Sequence, residues 1–384
     1  MGRYYWAAGL ARLADEMVAV AVVLLALSRS ESTVLSGAVI AAYTVPSILS
    51  GPLLGAWLDR TGRPVAALAA NQFTLAAMAV AMVFAPAPWL VPAAFVAGIT
   101  LPMTSGGFTS LVPRLATDLP RATSHDALLF NAAAIGGPGL AGVLSTAASP
   151  AVAVAVVAVL SAAGGLCTTA LRVPPHPPAE HPSLRAAMKQ GLRHLATTAP
   201  LRGVTVASAV GYGSVGMLTT ALPLHLGTLG VDGNQAGIVW AAFEVGCVAS
   251  ILAVRRRLPR WRPERVVFTT VALYGVTLAL WPLTPHFPVL LGLALVSGLA
   301  QGPTLTATIT ARQRYTPGPL LGQVSTTGAS LKLGAFAVGA AGGGALLTAW
   351  PPVAVILLVA VGQLVGSSLG AVTARPTRTA AVTP

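Results

Sequence analysis

Five ionisable side chains stand inside long apolar stretches of this chain: Arg12, Asp15, Glu16, Glu244 and Lys332. On a helix, Arg12 lies one turn before both Asp15 and Glu16 and can pair with either carboxylate. The two carboxylates point ~100° apart around such a helix, so they do not share one cavity. At a rise of ~1.5 Å per residue, Glu16 lies ~20 Å along the helix from Arg3, which is mid-bilayer depth in a spanning segment. An ionisable group at that depth costs about 3 kcal/mol on insertion scales, and its default reading is functional. A group of net negative charge held away from water suits a carboxylate that takes up and releases a proton. The competing reading is a static salt bridge that glues the segment into its bundle. Glu244 has no charged residue near it in sequence. Glu244 and Lys332 could form a charge pair in one conformation or contact a charged substrate separately, and the long Lys332 stem could instead snorkel to the surface.

Weaker candidates surround these five. Asn131 is a polar cavity candidate, and Asp126 reads as a helix N-cap near the inner membrane face. His225 reads as a surface histidine at the outer end of its segment. Tyr5, Tyr212 and Trp240 could line a cavity, or serve as packing and interface anchors. Other chemistries find no support. No His-Glu-x-x-His run exists for a zinc protease, and no Gly-x-x-x-x-Gly-Lys loop for direct use of ATP. Ser330 and Lys332 stand two residues apart on a predicted helix, ~200° around it, and cannot form a nucleophile–base dyad. Cys167 and Cys247 lie in apolar runs and read as small buried hydrophobes. The expectation is a protein that is not an enzyme, with no metal and no cofactor.

The elements that position these residues follow from composition. The chain has 384 residues, 55% of them hydrophobic and 9% charged. A soluble surface needs roughly 25% charged residues, so the solvent for most of this chain is the lipid bilayer. Apolar runs separated by Pro, Gly and Arg predict spans near 4–27, 33–57, 65–84, 89–112, 125–147, 151–171, 202–226, 235–254, 264–282, 287–310, 321–347 and 351–372. The opening run lacks a cleavage-site pattern and reads as a span rather than a removed signal, and its short tail leaves an earlier start open. With the amino terminus in the cytoplasm, all of the 23 basic residues except Arg12, Arg29 and Lys332 fall on the inner side. That split is the positive-inside rule, so the net charge of +13 reports topology and not a nucleic-acid partner. Both termini are then cytoplasmic.

The chain divides at its middle. Residues 173–182 are Pro-rich and cannot span, and 183–195 follow with Leu184, Met188, Leu192 and Leu195 on one face and Arg185, Lys189 and Arg193 on another. Ser183 is placed to cap this amphipathic helix, which either lies on the inner leaflet or links two bundles through solvent. The expected domains are a six-helix bundle over 1–172, a cytoplasmic linker over 173–201 and a second six-helix bundle over 202–384. The halves echo each other: the run from Gly98 to Pro102 is matched by Gly298 to Pro303, and the end of the second span has a degraded counterpart at the end of the eighth. A parallel repeat of six-span halves is a transporter architecture with its site near the midplane. The fold class is an all-α membrane protein of twelve helices in two pseudo-symmetric bundles.

The run GAWLDRTGRP, residues 55–64, resembles the signature loop between spans two and three of the major facilitator superfamily. Gly55, Asp59, Arg60, Gly62 and Arg63 match every element of it. Gly55 permits close helix packing, Gly62 offers a positive-φ turn, and Asp59 suits the positive N-terminal end of a neighbouring helix. The resemblance implies that this neighbour is span eleven, starting near Leu321, and that Asp59 with the nearby arginines latches the cytoplasmic side, joined by Arg114. In span five, Gly137, Pro138 and Gly142 resemble the helix-bend motif of drug–proton exporters, with Ala133 and Ala141 at two of its Gly positions. One departure is that span four carries no basic residue, where those exporters usually place an Arg. What the resemblance implies is alternating-access transport of a small molecule, export against protons being preferred and uptake or facilitation of a metabolite the alternative. A proton gradient would supply the energy. A monomer is expected, and the excess of Arg over Lys with abundant Ala, Gly and Pro points to a high-GC bacterium and its inner membrane. A non-transporting receptor is a remote further reading.

Overall fold

The computed structural model describes residues 1–30, 32–174 and 183–375, and their regular structure is helical throughout. Two compact units emerge: Met1–Gly191 with Pro317–Gly334, and Leu192–Thr316 with the chain from Ala335 onward.

The first unit holds α1 (Gly2–Ser30), α2 (Thr33–Arg60), α3 (Pro64–Phe84), α4 (Leu90–Pro102), α5 (Phe108–Leu115), α6 (Leu119–Ala147) and α7 (Pro150–Thr169). α8 (Leu184–Thr197) follows, its first residues belonging to this unit. The second unit holds α9 (Ala199–Thr228), α10 (Ala236–Val254), α11 (Pro263–Leu278), α12 (Phe287–Gln301), α13 (Pro303–Tyr315) and α15 (Pro352–Thr373). Helix α14 (Leu321–Leu346) is divided between the units at Gly334. Eleven of these stretches are long and apolar enough to cross a membrane, with α4 and α5 forming one and α12 and α13 another. α1 is equally long, at 29 residues, and stands apart through its three internal charges. Together they correspond to the twelve expected spans.

Local chemistry explains the starts. Ser32, Asp118 and Ser149 accept hydrogen bonds from the first-turn amides of α2, α6 and α7. Pro64, Pro150, Pro263, Pro303 and Pro352 open their helices, where the missing amide proton costs nothing. Large apolar side chains such as Leu49, Phe84 and Val338 stand exposed, as lipid-facing surface requires.

Each unit has one tight crossing built the same way. A side chain at Gly98 on α4 would collide with the Tyr43 carbonyl of α2, and one at Gly298 on α12 would collide with the Phe243 carbonyl of α10. The neighbouring polar contacts repeat as well. Asn71 and Gln72 of α3 donate to Thr104 Oγ1 at 3.3 and 2.9 Å, and Thr270 of α11 shares a 2.6 Å hydrogen bond with Thr304 of α13. Both halves break the helix just after these glycines. In the first half the break is a π-turn, Met103–Gly107, after Pro102; in the second it is the Gly302–Pro303 junction.

Two expectations change here. Gly62 does not supply a positive-φ turn: the left-handed glycine among the described residues is Gly230, at φ 72°. The turn before α3 is instead made by extended Thr61 (φ −74°, ψ 130°) and by Pro64 restarting the helix. In α8, Ser183 does cap, accepting from the Ala186 amide at 3.1 Å. The buried face, however, is Ala187, Gly191 and Leu195, while Leu192 is exposed, because this face packs on protein. The Pro-rich run lies, from residue 175 to 182, outside the described residues. Arg29, the one basic residue of the predicted outer loops, is also accounted for. Its guanidinium donates to the Met82 carbonyl at 2.8 Å and to those of Val83 and Ala85, capping the C-terminus of α3.

Candidate functional site

Arg12 does not pair with Asp15 or Glu16. Its Nη1 donates to Asp126 Oδ1 at 2.8 Å and to the Asp126 carbonyl at 3.1 Å, and both side chains are buried. Asp126 is therefore an ion-pair partner and not the N-cap of α6, a place taken by Asp118 two turns earlier. Both carboxylate oxygens of the pair are hydrogen-bonded, while Arg12 Nε is buried without a hydrogen-bond partner among the described residues. Tyr4 donates to Asp126 Oδ1 at 2.6 Å, Thr109 to Oδ2 at 2.9 Å, and Arg12 Nη2 to Thr109 Oγ1 at 3.0 Å. The guanidinium carbon also lies 3.7 Å from the centroid of the Phe130 ring. The cluster joins α1, α5 and α6 in the first unit. A four-residue step had favoured an intrahelical pair. The reach of an arginine side chain across to α6 decides otherwise.

The two acids of α1 have different neighbours on other helices. Asp15 is buried and accepts a hydrogen bond from the Tyr43 hydroxyl of α2 at 2.8 Å. Glu16 is half-buried and lies within electrostatic reach of Lys332 on α14 as well as of Arg12. Lys332 belongs to the part of α14 that clusters with the first unit. The approach of α6 to α1 here depends on Gly137, where an added Cβ would lie 2.6 Å from Glu16 Cβ. Pro138 follows it within the helix, and Ala133 and Ala141 are buried. Gly142 faces open space, with nothing within 4 Å of an added Cβ. Asn131 is half-buried on α6.

Asp59 sits at the end of α2 and caps α14. Its Oδ1 accepts from the Gly322 amide at 2.8 Å and its Oδ2 from the Gln323 amide at 2.7 Å, two of the donors a helix start leaves unsatisfied. Gly55 and Gly51 let α14 lie close: side chains there would collide with Thr326 and Ser330. Thr326 Oγ1 donates to the Gly51 carbonyl at 2.7 Å, and Gly106 of the π-turn faces Ser325 and Thr326. Arg114 is within electrostatic reach of Asp59 and donates to the Pro174 carbonyl. Arg60 is half-buried, and Arg63 is exposed at the start of α3. Gln323 extends the arrangement to α8, its Nε2 donating to the Met188 carbonyl at 2.7 Å.

Glu244 lies on α10 in the second unit, half-buried and within electrostatic reach of Cys247 and Tyr274. Phe243 stacks edge-on with Trp240 at 5.8 Å and tilted with Tyr274 at 5.3 Å, and Tyr212 meets Phe336 at 5.4 Å. An acid flanked by aromatic rings is suited to an organic cation. His225 is buried at the end of α9 and is no surface residue; Thr228 donates to its carbonyl at 2.6 Å. Tyr5 lies edge-on to His125 at 5.7 Å. Sequence reasoning missed Tyr4, Tyr43, Thr109 and the role of Asp126. The signal available was Asp118 before Leu-Pro, a stronger cap sequence than Asp126, which left Asp126 without a structural job.

Long apolar helices in two echoing halves, with charges held inside them, define a polytopic membrane transporter. The model of the Major Facilitator Superfamily matches residues 4–211 and 204–384. The chain belongs to the major facilitator superfamily, whose members are transporters of small molecules and not enzymes. It is 28% identical over 356 residues to the uncharacterized MFS-type transporter y4rN of Sinorhizobium fredii, covering 89% of this chain and 87% of that one. Among solved structures it resembles the human organic anion transporter MFSD10 (TETRAN), with TM-score 0.80 and 17% identity over 96% of this chain and 98% of that one. It also resembles a bacterial homologue of the iron transporter ferroportin in its outward-facing state, with TM-score 0.74 and 16% identity over 97% and 98%. The proton:xylose symporter XylE matches at TM-score 0.71 and 14% identity over 95% and 94%. These likenesses show the fold.

Proposed function

We propose that this transporter exports a small amphipathic cation across a bacterial inner membrane in exchange for protons. The observation that carries the reading is the placement of carboxylates inside its spans. Asp15 and Glu16 lie side by side on α1, one held by Tyr43 and the other within electrostatic reach of Lys332. Glu244 lies among aromatic rings in the second unit. In this reading Asp15 or Glu16 carries the proton, and Glu244 with its rings attracts the cation. Alternating access switches the site between the two sides of the membrane. Span four lacks a basic residue, and Arg12 brings a guanidinium to Thr109 on that span from α1. Asp59 with Arg60, Arg63 and Arg114 forms the cytoplasmic gate, opened when Asp59 leaves the start of α14. The working halves are 1–172 and 202–384, joined by 173–201, in a monomer with both termini in the cytoplasm and a proton gradient as its energy source.

The test is proton-coupled flux in inverted vesicles, with a fluorescent pH indicator inside and tetraphenylphosphonium as the probe cation. Adding the cation should release protons with the wild-type chain. Glu16→Gln or Asp15→Asn should abolish proton release, and Glu244→Gln should raise the cation concentration needed for half-maximal response. Proton release that survives in all three variants would overturn the mechanism. Counterflow that persists without any pH gradient would favour facilitation of a metabolite instead.

A further inference from the structure

The loop between α10 and α11 carries far more positive charge than its topology needs. Arg255, Arg256, Arg257, Arg260 and Arg262 fall within it, and Arg265 follows in the first turn of α11. The other short inner loops within each half make do with Arg60 and Arg63, Arg114 and Arg121, or Arg312 and Arg314, and a comparable number is met again in the long linker between the halves, with Arg172, Arg185, Lys189, Arg193 and Arg202. Orientation is set by such small excesses, so a loop this rich in arginine calls for a second cause.

The loop is folded, not slack. Leu258 and Pro259 enter a turn of 3-10 helix ending at Arg260, and Leu258 is buried against Val254, Val266, Val267 and Ala311. With Leu258 pinned inward, Arg256, Arg257, Arg260, Arg262 and Arg265 are all exposed, and so is Trp261. None of these guanidinium groups is engaged in a hydrogen bond or ion pair among the described residues. The nearby carboxylate is occupied elsewhere: Glu264 accepts the Tyr315 hydroxyl at 2.9 Å. A short loop joining two membrane spans sits at headgroup depth, where tryptophan is favoured and where arginine meets phosphate with two parallel donors.

We infer that the α10–α11 loop is a binding surface for the phosphate headgroups of anionic lipids, with Trp261 seated in the interface beside them. Polybasic segments next to a membrane span bind anionic headgroups through the surface potential and direct phosphate contacts. The expected consequence is an annular anionic lipid that stays with the protein when zwitterionic lipid exchanges.

Native mass spectrometry of the full chain in detergent, titrated separately with phosphatidylglycerol and phosphatidylcholine, tests this. The wild type should retain phosphatidylglycerol in preference to phosphatidylcholine. The triple variant R256Q/R257Q/R260Q should lose phosphatidylglycerol affinity by about tenfold or more, with phosphatidylcholine unchanged. R256K/R257K/R260K keeps the charge that directs insertion and should retain part of the preference. It also serves as the test variant if the glutamine triple fails to insert. Equal retention of both lipids by the wild type, or an unchanged phosphatidylglycerol affinity in the variants, overturns the inference. So does inorganic phosphate that displaces phosphatidylglycerol at comparable concentration, which would make the loop a soluble-anion site.

Discussion

Arg12 of α1 and Asp126 of α6, 114 residues apart, form a buried ion pair at 2.8 Å in the heart of the first helical unit. Its hydrogen bonds to Tyr4 and Thr109 leave the carboxylate fully satisfied, which is the condition for such a pair to be tolerated away from water.

Breaking that pair from one side should be costly. Arg12→Met or Asp126→Leu leaves one buried charge alone, and each should destabilise the protein by about 3–5 kcal/mol. The double variant R12M/D126L removes both charges and should recover much of the loss. Thermal unfolding of the purified chain in one detergent reads all three. Additive losses in the double variant would show that the two residues act independently.

The Asp59 cap is a second target. Asp59→Ala removes both acceptors from the Gly322 and Gln323 amides and should weaken the first turn of α14 by about 0.5–2 kcal/mol. Hydrogen–deuterium exchange of a peptide covering 321–326 should accelerate, while α3 and α7 keep their protection. Unchanged exchange at 321–326 would place the strength of that turn elsewhere.

Gln323 links this cap to α8, and Gly191 makes the link possible, since any side chain at 191 would collide with the Gln323 amide. Gly191→Leu should therefore speed exchange at the start of α14 as well as in α8. Replacing Gln323 by Ala in the same chain should restore protection at 321–326, because it vacates the space. A reciprocal effect is expected: Asp59→Ala should loosen α8 too, as coupling between two sites runs both ways.

The glycines of the two crossings should behave alike. Gly98→Ala and Gly298→Ala each place a methyl against a backbone carbonyl that cannot rotate away, and each should cost about 1–3 kcal/mol. Gly142→Ala meets open space and should fall within about 0.5 kcal/mol of wild type. Thermal unfolding midpoints compare the three directly. A Gly142→Ala loss as large as the other two would contradict the packing described.

Helix positions and the repeat were readable because lipid imposes its rules on every residue of a span. A glycine such as Gly98 or Gly298 advertises a crossing from within its own run. Partnerships across the chain were not readable in that way. Arg12 had two carboxylates within one turn and took a third from another helix, since long side chains choose by tertiary reach. The burial of His225 and the buried face of α8 escaped for a related reason: what covers a residue depends on elements distant in sequence. Gly62 misled because a proline restart and an extended threonine turn the chain as well as a left-handed glycine does.

The π-turn at Met103–Gly107 bears on how this helix tolerates changes in length. A π-turn accommodates one more residue than the regular helix around it. Deleting a single residue there would let α4 and α5 fuse into an uninterrupted helix with α5 keeping nearly its present phase relative to α4, because the π-turn already takes up the extra residue within one turn. Thr109 would stay on the side of Asp126, and Arg114 on the side of Asp59. The π-turn thus shields the phase of everything downstream of Pro102 from a one-residue change in length, so the side chains of α5 that face α1 and α6 are the same with or without the extra codon.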